Sequence, residues 1–442
     1  MPNLRFVPEF RVKINGEPIP AALRASISSV SHQTGLEGAD RVELTLVNEN
    51  LRWLDHRLLA LDRTLALSLG YAPDALEQMF VGEIVSHTAS FPSGGSPTLT
   101  VAAQDRMKHL EKGTKTRWFA ISIPSVGNLP LPDVAVAGMV SLENGLVPIF
   151  DPVAAVLSLI LGGIEFVAAF GDPNAMQRLI RKQEGESNFE FLSKIAKENN
   201  WEMFIDHSGP LGGFKLRFMS SADHLSADLT LKYGQSLIEF NPRISNVGQV
   251  VGVRAYFWRP EMKMEFTVEV SWDWDRQALD ISVTPGFGLP GGIGTTPEAL
   301  RAQAAEAETP EARQALEEQS GEVEEQLATA YDEARIELVD QPVTLASAPR
   351  AIVSRLLPKL NNRLTGSGST IGDPRIKAGS VIRLEGVGEQ FGGLYRVTSA
   401  THTLDSGGYR TSFEVRKEIW FGSIPLPAQG AVPVRVQGQQ VA

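Results

Sequence analysis

The residues able to do chemistry are scattered along the chain. Its seven histidines, His32, His56, His87, His109, His207, His224 and His402, show no HxH, HExxH, HxxxH or HxD spacing. A metal site would have to be assembled wholly in three dimensions. His87 and His402 each follow an alternating run and read as partly buried strand ends. Carboxylates lie close together at Asp40/Glu43, Glu184/Glu186 and Asp273/Asp275. Such pairs are the raw material of a glycosidase, which also needs burial and a cleft. Trp258, Trp272 and Trp274 could form a sugar platform, but the alternation of Val268 to Asp275 places them more simply on strand faces. The GxGxxG match, Gly286-Phe287-Gly288-Leu289-Pro290-Gly291, meets Pro290 and further glycines where a nucleotide-binding helix should start, and reads as a loop. GxSxG and Walker A motifs are absent. The lack of cysteine removes disulfides, thiolate metal sites and cysteine nucleophiles. No residue is assigned a catalytic, cofactor-binding or metal-binding role, no cofactor is expected, and the chain reads as no enzyme.

The elements that would position these residues are mostly strands. Near the C-terminus Val381–Glu385, Leu394–Thr398 and Tyr409–Val415 alternate apolar and polar residues between glycine-bearing turns, a three-stranded antiparallel meander. Residues 1–112 hold many short alternating runs, among them Phe10–Ile14 ahead of an Asn15-Gly16 hairpin signal and Arg41–Val47, and read as a first small β-barrel. Residues 228–290 together with 366–420 read as a second barrel of the same design, because Val250–Trp258 and the closing meander echo the first unit.

Three other regions differ in character. Residues 113–227 form a middle α+β domain, with a helix beginning at Ser187 or Asn188 as N-cap. Within it Pro152–Phe170 is aliphatic enough to raise the question of a membrane span. Gly162-Gly163 interrupts it, Glu165 lies inside it, and no basic cluster flanks it, so the expectation is a helical hairpin buried in a core or between subunits. Residues 291–365 form an acidic helical insertion, richest in Ala, Glu and Gln over 297–338, with a helix restart at Thr309-Pro310-Glu311. A further helix from Ala351 should kink at Pro358 or end at Leu357. Gly366-Ser367-Gly368-Ser369 reads as a flexible joint, and residues 421–442 as an extended strap.

Composition bounds the partners. The 442 residues are 43% hydrophobic and 21% charged, ordinary for globular domains, and the 40 glycines and 27 prolines suit a turn-rich β protein. A net charge of −11 argues against specific nucleic-acid binding but would let DNA or acidic cargo slide past. The N-terminus lacks the apolar run of a secretory signal, so synthesis and folding in the cytoplasm are expected.

The order of parts resembles the phage late-control D protein and the hub part of VgrG proteins, central baseplate hubs of contractile tails and injection systems. The matching passages are Phe10–Gly16, Phe80–Ile84, Pro97–Asp105, Gln183–Leu192 leading into Ile195-Ala196, and Ile376–Ser380 continuing to Tyr395–His402. The resemblance implies an α+β, mainly β chain with two small tube-like β-barrels, an α/β middle domain and a helical insertion. It also implies a homotrimer that presents six barrel faces and adapts a six-fold inner tube to a three-fold spike. Its partners would be an inner-tube initiator protein, a separate spike trimer and other baseplate proteins, within a phage tail or injection particle. VgrG proteins continue into an OB-like domain and a β-helical spike, whereas this sequence stops soon after Trp420. The rival readings are a cell-wall active or binding tail protein and a membrane-associated assembly anchor.

Overall fold

Alternation in Arg41–Val47 becomes a strand with Val42, Leu44 and Leu46 buried and the intervening side chains half-buried or exposed. The same logic builds its neighbours. The first part of the chain contains β1 (Val7–Ile14), β2 (Glu17–Pro18), β3 (Ile27–Gly35), β4 (Arg41–Val47), β5 (Thr64–Ala72), β6 (Glu77–Ser90) and β7 (Thr98–Gln104), joined antiparallel in the order β3-β4-β7-β6-β5-β1-β2. Asn15 and Gly16 both adopt positive φ, the demand of a tight hairpin turn, and bring Ile14 opposite Glu17. One face carries Val12, Leu44, Leu67, Phe80, Leu99 and Val101 into a common core, each worth roughly 1.5–3 kcal/mol on burial.

The computed structural model describes residues 7–124, 127–244, 252–259, 264–273, 278–285, 300–301, 304–305, 309–334, 336–338, 348–419, 434–436 and 439–441. The molecule is mainly β, with 43% strand and 30% helix. It divides into two compact units, residues 1–244 with 364–423, and residues 245–363 with 424–442.

In the first unit, the middle region holds β8 (Lys115–Ile123), β9 (Gly127–Pro130), α1 (Asp133–Glu143), β10 (Val147–Phe150), α2 (Pro152–Ala169), β11 (Arg181–Glu186), α3 (Asn188–Asn199), β12 (Trp201–Asp206) and β13 (Lys215–Ser220). Two three-stranded sheets, β11-β8-β9 and β10-β13-β12, flank a core in which Phe191, Leu192 and Ile195 of α3 meet Leu216 and Phe218 of β13. Ser187 caps α3 through a full capping box with Glu190, as its sequence anticipates. The expected hairpin at Pro152–Phe170 is instead one continuous helix, α2, running straight through Gly162-Gly163. Glycine costs a helix about 1 kcal/mol each but reverses nothing by itself, and the N–H groups of Val153 and Ala154 are held at 2.9 and 3.0 Å by the Asp223 carboxylate.

The unit is completed by β14 (Leu229–Lys232), β15 (Leu237–Ile244) and, after the second unit, β20 (Leu364–Ile371), β21 (Val381–Glu385), β22 (Gly393–Asp405) and β23 (Gly408–Arg416). The closing meander β21-β22-β23 is antiparallel as its alternation requires. β22 then pairs with β3, from Ser399↔Gly35 to Leu404↔Val30, so both β halves fuse into one 13-stranded sheet. No closed barrel forms among the described residues. Closure of the first half would need β3 to pair with the β1–β2 edge, but β3 is taken by β22. The expected joint at 366–369 is an interior stretch of β20, paired on both sides. Its glycines serve packing: a Cβ on Gly366 would stand 2.7 Å from the Phe240 ring, and one on Gly368 2.7 Å from the Phe413 ring.

The second unit is built on its own sheet. β16 (Gly252–Arg259), β17 (Met264–Asp273) and β18 (Ala278–Pro285) form an antiparallel meander, extended by β19 (Ile336–Leu338) on one side and by β24 (Val434–Val436) and β25 (Gln439–Val441) on the other. The described residues of 252–285 belong with this second unit, not with 366–420 as in the expected grouping of 228–290 with 366–420; eight consecutive local pairs, Gly252↔Ser271 to Arg259↔Met264, hold them together. Parts of the expected C-terminal strap, 434–436 and 439–441, are paired strands. The helices of the insertion include Pro310–Ala334 and Ala348–Asn361. The latter does not stop at Leu357 but runs on through Pro358 to Asn361: Pro358 removes one donor, and its carbonyl still accepts the Asn362 N–H at 3.1 Å.

Candidate functional site

At the join of the two β halves, His32 of β3 stands directly opposite His402 of β22, rings stacked with centroids 5.8 Å apart. Both are fully buried. His402 donates Nε2–H to the Ile376 carbonyl at 2.8 Å, which leaves Nδ1 to accept from the hydroxyls of Tyr409 (2.9 Å) and Thr411 (3.0 Å). Burial pulls its pKa down to about 4, against the upward pull of the Ile376 carbonyl and Asp373. Burial, with His402 and His207 adding repulsion, puts His32 well below the ordinary histidine range. Neither nitrogen of His32 has a hydrogen-bond partner. The expectation of partly buried strand ends is corrected for both residues named there. His402 is fully buried in mid-strand, and His87 is an exposed interior residue of β6 whose Nε2 meets the Leu59 carbonyl at 2.6 Å.

A second buried group ties the first β half to the middle region. Asp40 precedes β4, Asp105 follows β7, and His207 follows β12. His207 Nε2 lies 3.1 Å from Asp40 Oδ2 and 3.9 Å from Asp105 Oδ2, and the three ligand atoms fall within 4.8 Å of one another. The donor set suits a cation, but the imidazole tautomer does not. Nδ1 accepts the Val81 N–H at 3.1 Å, so Nε2 carries the proton and donates it to Asp40. A metal on Nε2 would normally leave Nδ1 as a donor, pointing one N–H at another. The group is a hydrogen-bonded staple. Asp105 accepts the N–H groups of Asp40 and Met107, yet burial and the neighbouring Asp40 charge raise its pKa to about 7.

His32, Asp40 and His207 border a cavity of about 350 Å³ whose rim includes Asp228, Arg375 and Lys377. The hydroxyls of Ser208 and Ser380 on its wall are committed to Asp206 and to the Lys377 carbonyl, so neither is poised against a base as a nucleophile. A third buried contact lies nearby. The Arg396 guanidinium, wholly buried, bonds both oxygens of Glu418 at 2.9 Å and the carbonyls of Gly379, Ser221 and Asp223. That arrangement satisfies the charge and locks β22 to the segment after β13.

The opposite face of the great sheet is different in kind. Two cross-strand rows run over five strands: Glu239, Ser369, Ser412, Thr401, Gln33 and, beside it, Asn241, Ser367, Glu414, Ser399, Gly35. All of these but Gly35 border a concavity of about 430 Å³. The face continues past the join, with Gln33 beside Arg41 and Gln104, and Ser29 beside Thr45, Thr100 and Thr88. Small hydroxyls and amides predominate, and the charges Arg41 and Glu43 neutralise each other at 2.7 Å. Such a surface hydrates well and offers little for apolar or phosphate groups to grip.

The residues singled out in the sequence are mostly kept apart. Asp40 is buried while Glu43 lies on the polar face, so that pair never forms a cleft. Glu184 is exposed on β11 and Glu186 pairs with Lys194. Asp273 ends β17, whereas Asp275, Trp274 and Gly286–Gly291 lie outside the described residues. Trp258 and Trp272 fall within strands, as read. His56 accepts the Leu58 N–H, His109 meets Glu83 at 3.0 Å, and His224 meets Asp228 at 2.9 Å. Sequence reasoning missed the Asp40–His207–Asp105 staple and the Arg396–Glu418 pair. No short-range spacing signals either, because each is closed by the tertiary fold.

No protein-family model and no curated protein matches the sequence. Solved structures do. The prophage MuSo2 43 kDa tail protein from Shewanella oneidensis superposes with a TM-score of 0.55 at 12% identity, over 94% of this chain and 99% of that one. The tail protein from Neisseria meningitidis MC58 does so with a TM-score of 0.54 at 9% identity, over 93% and 97%. At these identities the likeness is one of fold: this chain has the fold of these two tail proteins over nearly the whole length of each.

Proposed function

We propose that the protein is the central hub of a contractile-tail or injection-particle baseplate, a non-enzymatic homotrimer between a six-fold inner tube and a three-fold spike. The observation that carries this reading is the single sheet whose hydroxyl-rich face runs unbroken across both β halves. Each half stands for one tube-like domain. Three chains then supply six, and the polar face lines the passage, where a surface without clustered cations lets acidic or extended cargo slide. The tube initiator would dock on one end of the ring and a separate spike trimer on the other. The fold shared with a prophage tail protein and a second tail protein supports the setting. Mass measurement of the purified chain mixed with its tube and spike proteins tests the proposal. A trimer is expected; a chain that stays monomeric with both present removes the basis of the reading.

A further inference from the structure

Helix α2 is packed inside out. Its buried residues are Ala154, Ser158 and Ala169, so the helix rests on the domain through small side chains. The large aliphatic ones point away: six of them from Val156 to Val167 are 45–73% exposed, and Phe170, just past the helix, is 72% exposed. At about half exposure each, they leave on the order of 700 Å² of apolar surface in water. That exceeds the largest patch of an ordinary monomer and approaches the roughly 800 Å² one partner gives to a specific interface. An amphipathic helix that served only its own domain would have the opposite orientation.

The spacing within this face says what covers it. Val153, Leu157, Ile160, Ile164 and Val167 follow one another at intervals of four, three, four and three, the repeat of a coiled-coil seam. Taking Leu157 and Ile164 as a positions, the d positions are Val153, Ile160 and Val167. Leu at a with β-branched residues at d favours bundles of three or four helices over pairs. No Lys or Arg occurs between Asp151 and Asp172 to hold the helix on an anionic lipid surface.

We infer that α2 is the contact between copies of this chain, its 153–167 seam packing against the same helix of its neighbours in a parallel three-helix bundle. The seam itself is argued from α2 alone; the number three, rather than four, rests on the hub reading above. In the bundle the d-position Ile160 and Val167 side chains of all copies meet on the three-fold axis, so the bundle caps the passage at its spike end and the aliphatic face leaves water.

The full chain supplies the test. Native mass and light scattering at tens of micromolar should give a trimer. Ile160→Glu combined with Ile164→Glu, both at exposed positions, should give a monomer with the parent's circular dichroism spectrum and a cooperative melt at a lower temperature. Because the chain has no cysteine, Val167→Cys alone should cross-link copies under mild oxidation. A trimer that survives the double glutamate variant, or no cross-link from Cys at 167, overturns the inference and leaves the hub reading standing. A parent that is monomeric with tube and spike proteins present overturns both. Flotation of the parent with phosphatidylcholine vesicles, abolished by the glutamates while the mass stays monomeric, would assign the face to lipid and also overturn it.

Discussion

Burial and the neighbouring Asp40 charge act together on the Asp105 carboxylate, with His207 pulling the other way. Asp105 is raised from 3.8 to about 7, so the folded protein binds a proton that the unfolded chain releases. Its contribution is complete below about pH 4 and is lost as the pH rises toward 7. Replacing Asp105 by Asn, a mimic of the protonated acid, should flatten this limb. Between pH 5 and 8 the parent should lose about 2–4 kcal/mol relative to the variant. Thermal melts at the two pH values decide it; parallel slopes would rule out proton uptake by Asp105 on folding. His402, lowered from 6.5 to about 4, works on the other limb: its contribution is present above 6.5 and lost as the pH falls toward 4. Its partner Tyr409 is pushed well above 10 by burial and remains a hydroxyl donor throughout. Arg396→Ala would strip Glu418 of its wholly buried partner and should cost roughly 3–5 kcal/mol, readable as a lower denaturant midpoint. A midpoint within error of the parent would mean Arg416, 2.8 Å from Glu418, compensates alone.

At the scale of elements, β20 shows why composition misleads. Its Gly-Ser-Gly-Ser stretch has the makeup of a linker, yet Phe240 and Phe413 lie over the two glycines and β15 and β23 hold the strand on both sides. Gly368→Val should therefore destabilise by roughly 1–3 kcal/mol through overpacking against Phe413, whereas the same change in a true linker would be silent; urea unfolding separates the two. Strands with strict alternation, β4 and β23 among them, were legible from sequence because one face of each is buried in a core. The α3 cap was legible because its bonds close within four residues. The continuity of α2 was not, since Asp223, which holds its first turn, lies far along the chain. Nor was the pairing of β3 with β22, which depends on which strand reaches an open edge first. The buried staple of Asp40, Asp105 and His207 shared that opacity: each residue alone looks like a polar strand end.

At the scale of the whole molecule, the prediction concerns the polar face. If it lines a passage, adding cations there should matter for transport and leave folding alone. Ser369→Lys with Ser412→Lys, on adjacent strands of one row, should leave the melting temperature within a degree or two. Particles assembled with this variant should form normally and deliver cargo poorly, and delivery should recover as salt screens the added charge. Normal delivery at low salt would place the passage elsewhere. The fold as a whole was foreseeable as strand-rich and two-part, since alternation and turn residues mark both halves. That those halves share one sheet required the register Ser399↔Gly35.

That register has a consequence for how the chain is made. β3 emerges from the ribosome early, and its mate β22 only after some 350 further residues, roughly 20–70 s later at bacterial elongation rates. Throughout that interval β3 presents bare N–H and C=O groups along one side, a template for any passing strand. Nascent chains on one messenger are the nearest candidates to dock there in error. Truncation before residue 393 should therefore yield aggregates rather than a soluble half-molecule, and co-expression of a peptide covering 393–416 should rescue solubility. The same strand pairing that unifies the finished sheet makes its synthesis the most exposed stage in its life.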